Sequence, residues 1–558
     1  MKIKGHIVDV VRREIYDGEV MVKGDKIADV ARCRLPESDR PYPYLLPGFI
    51  DSHVHIESSM MEPHEFARVA VCHGTIGVVA DPHEICNVMG EEGLDYMLQS
   101  AKRATMNIRY GAPSCVPAVG GNVETSGAVL DADAIERLMA RDDIGFLGEM
   151  MDFTGVLNGD EQVMRKIAAA QRHGKPIDGH APGITAAERV RYAGAGISTD
   201  HECTTIEEGL ACIKAGMKVL IREGSAAKDF KNLRPLIGME PGHVMFCTDD
   251  CQPDELLRGH INSLVKRSIA AGFDLFDILQ IACVNPQRHY RLNWGLMQKD
   301  DPATFVVVDN LGAHFRVERT FVNGTEVFNY NSSSGAIQAQ AAKGRSVKSY
   351  PNRFFASPIT AADIKLDIRS TDTVRIINAS NGSLVTGCET ITLSGNPLID
   401  AQYPWPEVQK IVVYNRYTPG AKPIVGLVRG FGLGEGAIAS SVAHDCHNIV
   451  AIGLKDDYIV KAINRVVEMQ GGQVVVSADE MIDVPLPIGG LMSPLSGHEV
   501  AYRCRLIRDM VEQIGCKMKA PFITMAFMCL PVIPELKLTD RCLFDVTAMK
   551  PVPLVTRG

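Results

Sequence analysis

The sequence of 558 residues lacks the features that would place it in a membrane or on nucleic acid. The longest apolar run near its end, Phe522–Ile533, is too short to cross a bilayer and contains Pro531. No signal peptide is visible, because Met1 leads straight into alternating, strand-like sequence. The net charge of −9 leaves no basic excess for binding a phosphate backbone. We therefore expect neither a membrane nor a nucleic acid as partner.

Cysteine pairs of the Cys-x-x-Cys type are missing as well. The fifteen cysteines are dispersed over the chain, and no Cys-x-x-Cys motif occurs. This excludes the zinc nucleobase deaminases, which need a Pro-Cys-x-x-Cys half, although His55-Ile-Glu57 would match their other half. Dispersed cysteines in a chain of this length predict a reduced, cytoplasmic protein rather than a secreted disulfide scaffold.

The order of patterns along the chain predicts three domains. Residues 1–46 alternate apolar and polar residues between turn signals, and residues 301–330 return to this pattern, so the two stretches predict one small β domain. Residues 47–300 repeat short apolar strands, each followed by a helical segment. The polar stretch 331–346 predicts a linker. Residues 350–558 predict an additional C-terminal α+β domain, whose role the sequence leaves open.

Eight strand candidates in the middle region predict an α/β fold with a (β/α)8 catalytic barrel. The candidates are residues 45–55, 75–84, 107–116, 144–153, 175–183, 196–203, 217–225 and 243–251. Almost every candidate ends in polar residues, and most of these endings contain histidine, aspartate or glutamate. Because the C-terminal strand ends form the active site of such barrels, the chain concentrates metal-capable side chains where catalysis takes place.

Six of these strand-end residues form a predicted metal site. The side chains of His53 and His55 share one face of a strand, so they can chelate one cation. The full predicted ligand set is His53, His55, Glu149, His180, His201 and Asp249. Six ligands exceed the needs of one tetrahedral ion, and this favours two ions bridged by a carboxylate. Four imidazoles and two carboxylates without a thiolate suit Mn²⁺, Fe²⁺ or Zn²⁺.

A site of this kind predicts hydrolysis. Two cations would acidify a shared water, and Asp249 would take its proton and later deliver it to a leaving group. Glu149 is the predicted bridge between the ions. Asp152 remains an alternative to Glu149, and Asp250 remains an alternative to Asp249.

Structural roles compete with the histidine assignments. His180 could cap a turn, and His201 could pair with Asp200. We give the functional interpretation more weight because the histidines recur at successive strand ends.

The motifs resemble those of the adenine deaminase family of the amidohydrolase superfamily. The stretches that carry this resemblance are PGFIDSHVHIESSM (47–60), VVADPHEICNVMG (78–90), GEMMDFTGVLNGD (148–160), DGHAPG (178–183), STDHECT (198–204), FCTDDCQPDELL (246–257), VAHDCHNIVAIG (442–453), LPIGGLMS (486–493) and LPVIPELKLTD (530–540). The resemblance implies a metal-dependent barrel with a flanking β domain and a dinuclear centre of the Mn or Fe type. It also implies hydrolytic removal of the 6-amino group of adenine, a role in purine salvage and a homo-oligomer. Glu149 stands where many amidohydrolases use a carboxylated lysine.

Five further residues are candidates for contact with a purine. Glu84 is predicted to protonate the ring nitrogen N1, and His83 to position Glu84 or to contact the adduct. A helix cap is the alternative role for Glu84. Glu57, Arg222 and Ser225 are candidate substrate contacts. For Glu57 the alternatives are orientation of a metal ligand or a place on the barrel rim, and for Arg222 the alternative is an internal ion pair.

Other functions remain open at this point. A deaminase of a modified 6-aminopurine and a cyclic-amide hydrolase of the dihydroorotase or hydantoinase type would use the same centre. A barrel that only binds purines is disfavoured because all six ligands are present. The Gly-rich stretch 430–436 has no following helix with a suitably placed acid, which argues against dinucleotide binding. His444-Asp-Cys-His447 predicts a polar turn, with a lid as the alternative role.

Overall fold

The structure is a computed structural model, and it describes residues 1–119, 122–331, 350–393 and 407–557. The predicted linker therefore lies, from residue 332 on, outside the described residues. The chain divides into two compact units. The first is Met1–Pro82, Met97–Ser114 and Asp131–Val347, and the second is His83–Tyr96, Cys115–Leu130 and Lys348–Gly558.

A seven-stranded sheet in the first unit combines strands from the two stretches of the predicted small β domain. Its strands are β1 (Lys2–Asp9), β2 (Glu14–Lys23), β3 (Lys26–Arg32), β4 (Tyr44–Leu46), β14 (Phe305–Val308), β15 (Val317–Val322) and β16 (Thr325–Asn329). Their order is β16-β15-β14-β4-β1-β2-β3, antiparallel except for the β1–β4 pair. Alternate residues are buried, as Ile3 and Ile7 of β1 are, because only one face of this sheet covers a core.

The second structure in the first unit is the (β/α)8 barrel, and the predicted fold class is confirmed. Its parallel strands are β5 (Phe49–His55), β6 (Thr75–Ala80), β7 (Asn107–Ala112), β8 (Ile144–Met150), β9 (Ile177–Gly179), β10 (Thr199–Asp200), β11 (Lys218–Arg222), β12 (Val244–Cys247) and β13 (Asp249–Asp250). One ladder runs β13-β5-β6-β7-β8-β9 and another runs β10-β11-β12. The Ser198 amide donates to the Ile177 carbonyl (2.9 Å) between the two ladders. Since β12 and β13 are one strand interrupted at Thr248, the ring has eight strands.

Each barrel strand is followed by helical chain, as the sequence predicts. The helices of the first unit are Pro63–Ala70, Ala132–Met139, Phe153–Asn158, Glu161–Arg172, Ala186–Gly194, Ile206–Lys214, Phe230–Leu233, Leu236–Met239, Pro253–Arg258, Ile261–Ala270, Leu275–Leu279 and Asn285–His289. Capping boxes fix the starts of two of them, with Thr185 paired to Glu188 and Thr205 to Glu208. Strands β5, β6 and β8 are buried along their whole length because helices and barrel interior cover both faces.

The second unit is an α+β structure, and its larger sheet has nine described strands. They are β17 (Thr373–Asn378), β18 (Gly387–Thr392), β19 (Val408–Tyr414), β20 (Ile424–Arg429), β21 (Gly436–Ser440), β22 (Ile449–Gly453), β23 (Gly472–Ser477), β24 (Met481–Pro485) and β28 (Val555–Thr556). The order is β18-β17-β20-β19-β22-β21-β23-β24, with β28 beside β17. A smaller sheet consists of β25 (Leu536–Leu538), β26 (Leu543–Asp545) and β27 (Lys550–Val552).

The helices of the second unit include two that follow β6 in the chain. The set is His83–Met89, Glu91–Ala101, Asp456–Met469, Gly497–Gln513 and Pro521–Phe527, and the last five residues of the second belong to the first unit. Ile459, Ile463 and Val466 of one helix pack on the larger sheet in a common core. Across the described part of the chain, no helix has both the length and the apolar character needed to span a membrane.

Candidate active site

The site includes two imidazoles at the end of β5. His53 and His55 are separated by one residue, so their side chains leave the strand on the same side. Their ring centroids lie 4.8 Å apart, and both side chains are buried. The Nδ1 atom of His55 lies 3.0 Å from the carbonyl oxygen of Asp81. Because a carbonyl only accepts, Nδ1 carries the proton, and Nε2 is the ring nitrogen that could bind a metal ion.

Glu149, at the end of β8, joins two groups of imidazoles. Its Oε1 atom lies 3.3 Å from Nε2 of His55. Its Oε2 atom lies 2.9 Å from Nδ1 of His180 and 3.1 Å from Nε2 of His201. Oε2 also lies 4.0 Å from Nε2 of His53. One carboxylate is therefore placed among four imidazoles, as a carboxylate that two ions share would be.

Asp249, in β13, completes the predicted set. Its Oδ1 atom lies 3.0 Å from Nε2 of His55 and 3.5 Å from Nε2 of His53. The backbone of Asp249 has φ 60°, a left-handed conformation that is strained for a residue other than glycine and is common at functional sites. All six predicted ligands are thus brought together by the strand ends of the barrel.

The two alternative carboxylates lie elsewhere. Asp152 is the N-cap of the helix Phe153–Asn158, where its Oδ1 accepts the amide proton of Gly155 at 2.7 Å. Asp250 accepts the hydroxyl proton of Ser58 at 2.5 Å. The Asp152 carboxylate is thus held by a backbone donor and the Asp250 carboxylate by a hydroxyl, and the choice of Glu149 and Asp249 as ligands stays a prediction.

The charges of the site fit a cation. Burial alone would raise the pKa of Glu149, but the imidazoles of His180, His201 and His55 hold it well below its usual value. Burial would likewise raise the pKa of Asp249, and His53 and His55 keep it low. Both acids are therefore buried anions, whose charge a metal ion would neutralise while displacing imidazole protons.

A second observation supports the same fit. Both ring nitrogens of His53 are buried and have no hydrogen-bond partner among the described residues. Buried polar atoms without a partner are rare in proteins, and a missing ion is one of the ordinary explanations. His53, His55 and Glu149 form one compact group of possible ligands, and Glu149, His180 and His201 form another. The donor atoms present thus fit two divalent ions that share Glu149.

The predicted substrate contacts within the first unit have protein partners. Glu57 is buried in a short turn. Burial, and after it the charge of Glu57, raises the pKa of Tyr110 well above the usual value. The hydroxyl of Ser225 donates to Glu255 at 2.6 Å. Arg222 is buried and pairs with carboxylates, among them Asp249. Contact of these side chains with a purine stays a prediction.

Glu84 and His83 lie at the start of the helix His83–Met89, in the second unit. Oε1 of Glu84 lies 2.9 Å from Nδ1 of His444, and Oε2 contacts Nε2 of His447. Oε1 is also 3.6 Å from Nε2 of His83. Burial would raise the pKa of Glu84, but these three imidazoles lower it well below its usual value. The predicted polar turn 444–447 therefore holds a buried, negatively charged glutamate.

Comparison with known proteins gives matches over almost the whole chain. The model described as "Amidohydrolase family" matches residues 44–327, and the one described as "Adenine deaminase C-terminal domain" matches residues 385–550. The adenine deaminase of Methanosarcina mazei is 45% identical over 99% of this chain and 99% of its own length. The chain belongs to the adenine deaminase family. The family's enzymes from Salinibacter ruber and Borreliella burgdorferi are 46% and 39% identical, each over 98% of both chains.

Solved structures similar to this member of the adenine deaminase family are more distant. A β-aspartyl dipeptidase from Fervidobacterium islandicum AW-1 is 17% identical, with a TM-score of 0.45 over 60% of this chain and 97% of its own. A dihydropyrimidinase from Brevibacillus agri is 14% identical, with a TM-score of 0.45 over 59% of this chain and 95% of its own.

Three residues near the centre were not predicted from the sequence. Glu202 places Oε1 3.4 Å from Nε2 of His201. Tyr192 donates its hydroxyl proton to the Met150 carbonyl (2.7 Å) and accepts the amide proton of His180 (3.1 Å). Asp81 accepts the amide proton of Glu149 at 2.8 Å. Glu202 follows His201 directly in Asp-His-Glu and could have been found from that motif, whereas Tyr192 is inside a helix and gave no signal.

Proposed function

We propose that this chain hydrolyses adenine to hypoxanthine and ammonia at a dinuclear metal centre, as part of purine salvage. Its membership of the adenine deaminase family supports the reaction. The observation that carries the proposal is the position of Glu149 among four imidazoles. Its Oε1 faces His55, and its Oε2 faces His180 and His201 and lies 4.0 Å from Nε2 of His53. Two divalent ions at such positions would activate water at neutral pH.

The proposed ligands are the six residues predicted from the strand ends. His53 and His55 would hold one ion, His180 and His201 the other, Glu149 would bind both, and Asp249 would complete the first position. When bound, the ions would activate water and polarise the purine ring. Imidazoles and carboxylates accept Mn²⁺, Fe²⁺ and Zn²⁺ alike. Mn²⁺ or Fe²⁺ is the proposed metal because the resemblance to the adenine deaminase family implies it, and Zn²⁺ is the alternative.

The side chains of the protein would move the protons. Asp249 would accept one proton from the attacking water and pass it to the departing amino group, which leaves as ammonia. Glu84, positioned by His83, would deliver the proton that N1 of the ring receives as the oxygen adds to C6. Glu57 and Ser225 are proposed substrate contacts. Loss of ammonia turns the added oxygen into the carbonyl of hypoxanthine, and the proton that this oxygen releases would restore the one that Glu84 gave to N1. Over one turnover, water thus supplies the carbonyl oxygen, one proton for ammonia and one proton for the ring.

A substrate panel tests this proposal. Purified protein is stripped of metal, reloaded with Mn²⁺, Fe²⁺ or Zn²⁺, and incubated with adenine, N6-methyladenine, adenosine or dihydroorotate. We expect ammonia and the ultraviolet change of hypoxanthine formation with adenine and a reloaded sample, and neither signal with the stripped control. Methylamine from N6-methyladenine alone would identify a deaminase of modified purines, and dihydroorotate turnover alone would identify a cyclic-amide hydrolase. Either result overturns the proposal.

We further propose a cytoplasmic location and a small-molecule substrate as the principal partner. None of the fifteen cysteines forms a disulfide in the structure, which is usual for a protein of a reducing compartment. Assembly into a homo-oligomer is also proposed, and light scattering coupled to size exclusion would measure it.

A further inference from the structure

Arg222 occupies an unusual position at the C-terminal end of β11. Its side chain is 9% exposed, and three carboxylates surround it. Nε donates to Oδ2 of Asp229 at 3.2 Å, and Nη1 donates to Oδ2 of Asp249 at 3.1 Å. Nη1 and Nη2 both contact the carboxylate of Glu202, the second at 3.3 Å. All three nitrogen atoms of the guanidinium group therefore contact carboxylates of the protein.

These contacts fix the orientation of the Asp249 carboxylate. The carboxylate offers Oδ2 to Arg222 and Oδ1 to the imidazoles of His53 and His55. A carboxylate without a second partner could rotate about its last bond, which would change the direction of both oxygens. Groups behind a metal ligand that hold its orientation are worth about 10–100-fold in metal affinity or activity.

The same guanidinium holds Glu202 on the other side of the site. Oε1 of Glu202 lies 3.4 Å from Nε2 of His201 and 3.6 Å from Nδ1 of His180. These are the two nitrogen atoms that face Oε2 of Glu149. Glu202 thus borders the position that the second ion would take, and its two oxygens are turned by the contact with Arg222.

We propose that Arg222 is a positioning residue for the deamination, which orients Asp249 and holds Glu202 beside the His180–His201 side of the metal centre without contacting the purine. This inference rests on the proposed function only for its effect on turnover. Its effect on metal binding requires no substrate.

The first test uses metal affinity. Arg222→Gln and Arg222→Lys are stripped of metal and titrated with Mn²⁺ against a chromogenic chelator. We expect Arg222→Gln to bind at least one Mn²⁺ about tenfold more weakly than the parent. Arg222→Lys keeps the charge but lacks the planar fork, so it should lie between the two. If Arg222→Lys bound Mn²⁺ as tightly as the parent, a positive charge alone would be sufficient. That result would contradict the proposal that the planar guanidinium orients Asp249 and Glu202.

Arg267 provides a matched control. It pairs with Glu223 and stacks over Phe230 in the same region, but its side chain is 44% exposed and touches no proposed ligand. Arg267→Gln should keep the Mn²⁺ affinity of the parent. If it lost affinity to the same degree, the effect of Arg222 would be general destabilisation of this strand end and the proposal would fail.

The second test separates positioning from substrate contact. At saturating Mn²⁺, Arg222→Gln should lower kcat for adenine about tenfold or more while KM changes less than about threefold. A raised KM with unchanged kcat would show direct contact with the purine and would overturn the proposal. A parent protein that binds Mn²⁺ but leaves adenine unchanged would contradict the proposed function, while the affinity arm would still decide the role of Arg222.

Discussion

Gly148 shows how one residue governs the geometry of the centre. It precedes Glu149 in β8, where the Asp81 carboxylate approaches the backbone to accept the amide proton of Glu149. A Cβ atom on Gly148 would lie 2.2 Å from Oδ2 of Asp81, well inside van der Waals contact. The absence of a side chain is therefore what allows this carboxylate to fix the proposed bridging ligand.

Gly148→Ala should consequently displace either Asp81 or Glu149. We expect a lower Tm, corresponding to about 1–3 kcal/mol, and a fall of about tenfold or more in adenine turnover. The control is Gly194→Ala, at an exposed helix end where an added Cβ meets no atom within 4 Å. That variant should keep the parent's Tm and turnover. If the two variants had the same Tm and turnover, the close approach of the Asp81 carboxylate to the backbone at Gly148 would not be needed.

A second residue-scale prediction concerns Glu124. Burial, before any other cause, raises the pKa of Glu124 to about 8, although the Val119 amide donates to it at 3.0 Å. The unfolded chain loses this proton near its ordinary pKa of 4.5, whereas the folded chain keeps it up to about 8. Between these values the folded state binds more protons, so stability falls as pH rises.

Glu124→Gln, which is neutral at every pH, should escape this loss. Relative to the parent, its free energy of unfolding should rise between pH 5 and pH 8, by an amount on the order of a few kcal/mol at most. Its Tm should rise with it over the same pH range. Glu480→Gln, at an exposed position of the same unit, serves as the control and should show no such gain. Parallel Tm curves for Glu124→Gln and the parent would contradict a protonated Glu124.

At the scale of elements, the loop between β21 and β22 is the least expected feature. His447 has φ 54°, and its Nδ1 accepts the Ala443 amide proton at 3.3 Å. A neutral imidazole that accepts at Nδ1 carries its proton on Nε2, which therefore donates to Glu84. His444 stacks on Phe527 with centroids 4.4 Å apart. Because Glu84 is held as an anion, any proton that it gives to N1 would first come from an imidazole of this loop.

Glu84→Gln and His447→Gln test this arrangement. The first should lower kcat about 10²-fold or more, and the second should lower it less, since His444 still contacts Glu84. Metal content should stay at the parent's level in both. His498→Gln, an exposed histidine of the same unit, is the control. Near-parent kcat in Glu84→Gln would remove Glu84 from the mechanism.

These elements also show how far sequence reasoning reaches. The strands of the barrel follow from apolar runs of strand length, and their polar ends indicate the six ligands because strand ends of a barrel meet. The pairing of Arg222 with Glu202 and the contact of Glu84 with His447 could not be predicted. Glu84 and His447 are 363 positions apart in the sequence. Contacts between such distant side chains depend on the tertiary fold and cannot be predicted from a local sequence pattern.

At the scale of the whole molecule, the proposed centre ties distant parts of the chain together. The ligands come from the ends of β5, β8 and β13 and from the residues that follow β9 and β10. An unfolded chain has no such constellation, so the free energy of metal binding becomes free energy of folding. Removal of metal should therefore affect stability as well as activity.

Chelation followed by return of Mn²⁺ measures this coupling in the intact chain. At a free Mn²⁺ concentration about 100 times Kd, one site adds about 2.7 kcal/mol, so Tm should rise by a few degrees over the stripped protein. Asp249→Asn should lose part of this gain because it removes an anionic ligand. Asp152→Asn should lower the Tm of the stripped protein through its lost helix cap, yet keep the full gain on Mn²⁺ addition. If Asp152→Asn lost part of the gain and Asp249→Asn kept it, Asp152 would replace Asp249 among the proposed ligands. If none of Mn²⁺, Fe²⁺ and Zn²⁺ raised the Tm, the proposed metal centre would be contradicted.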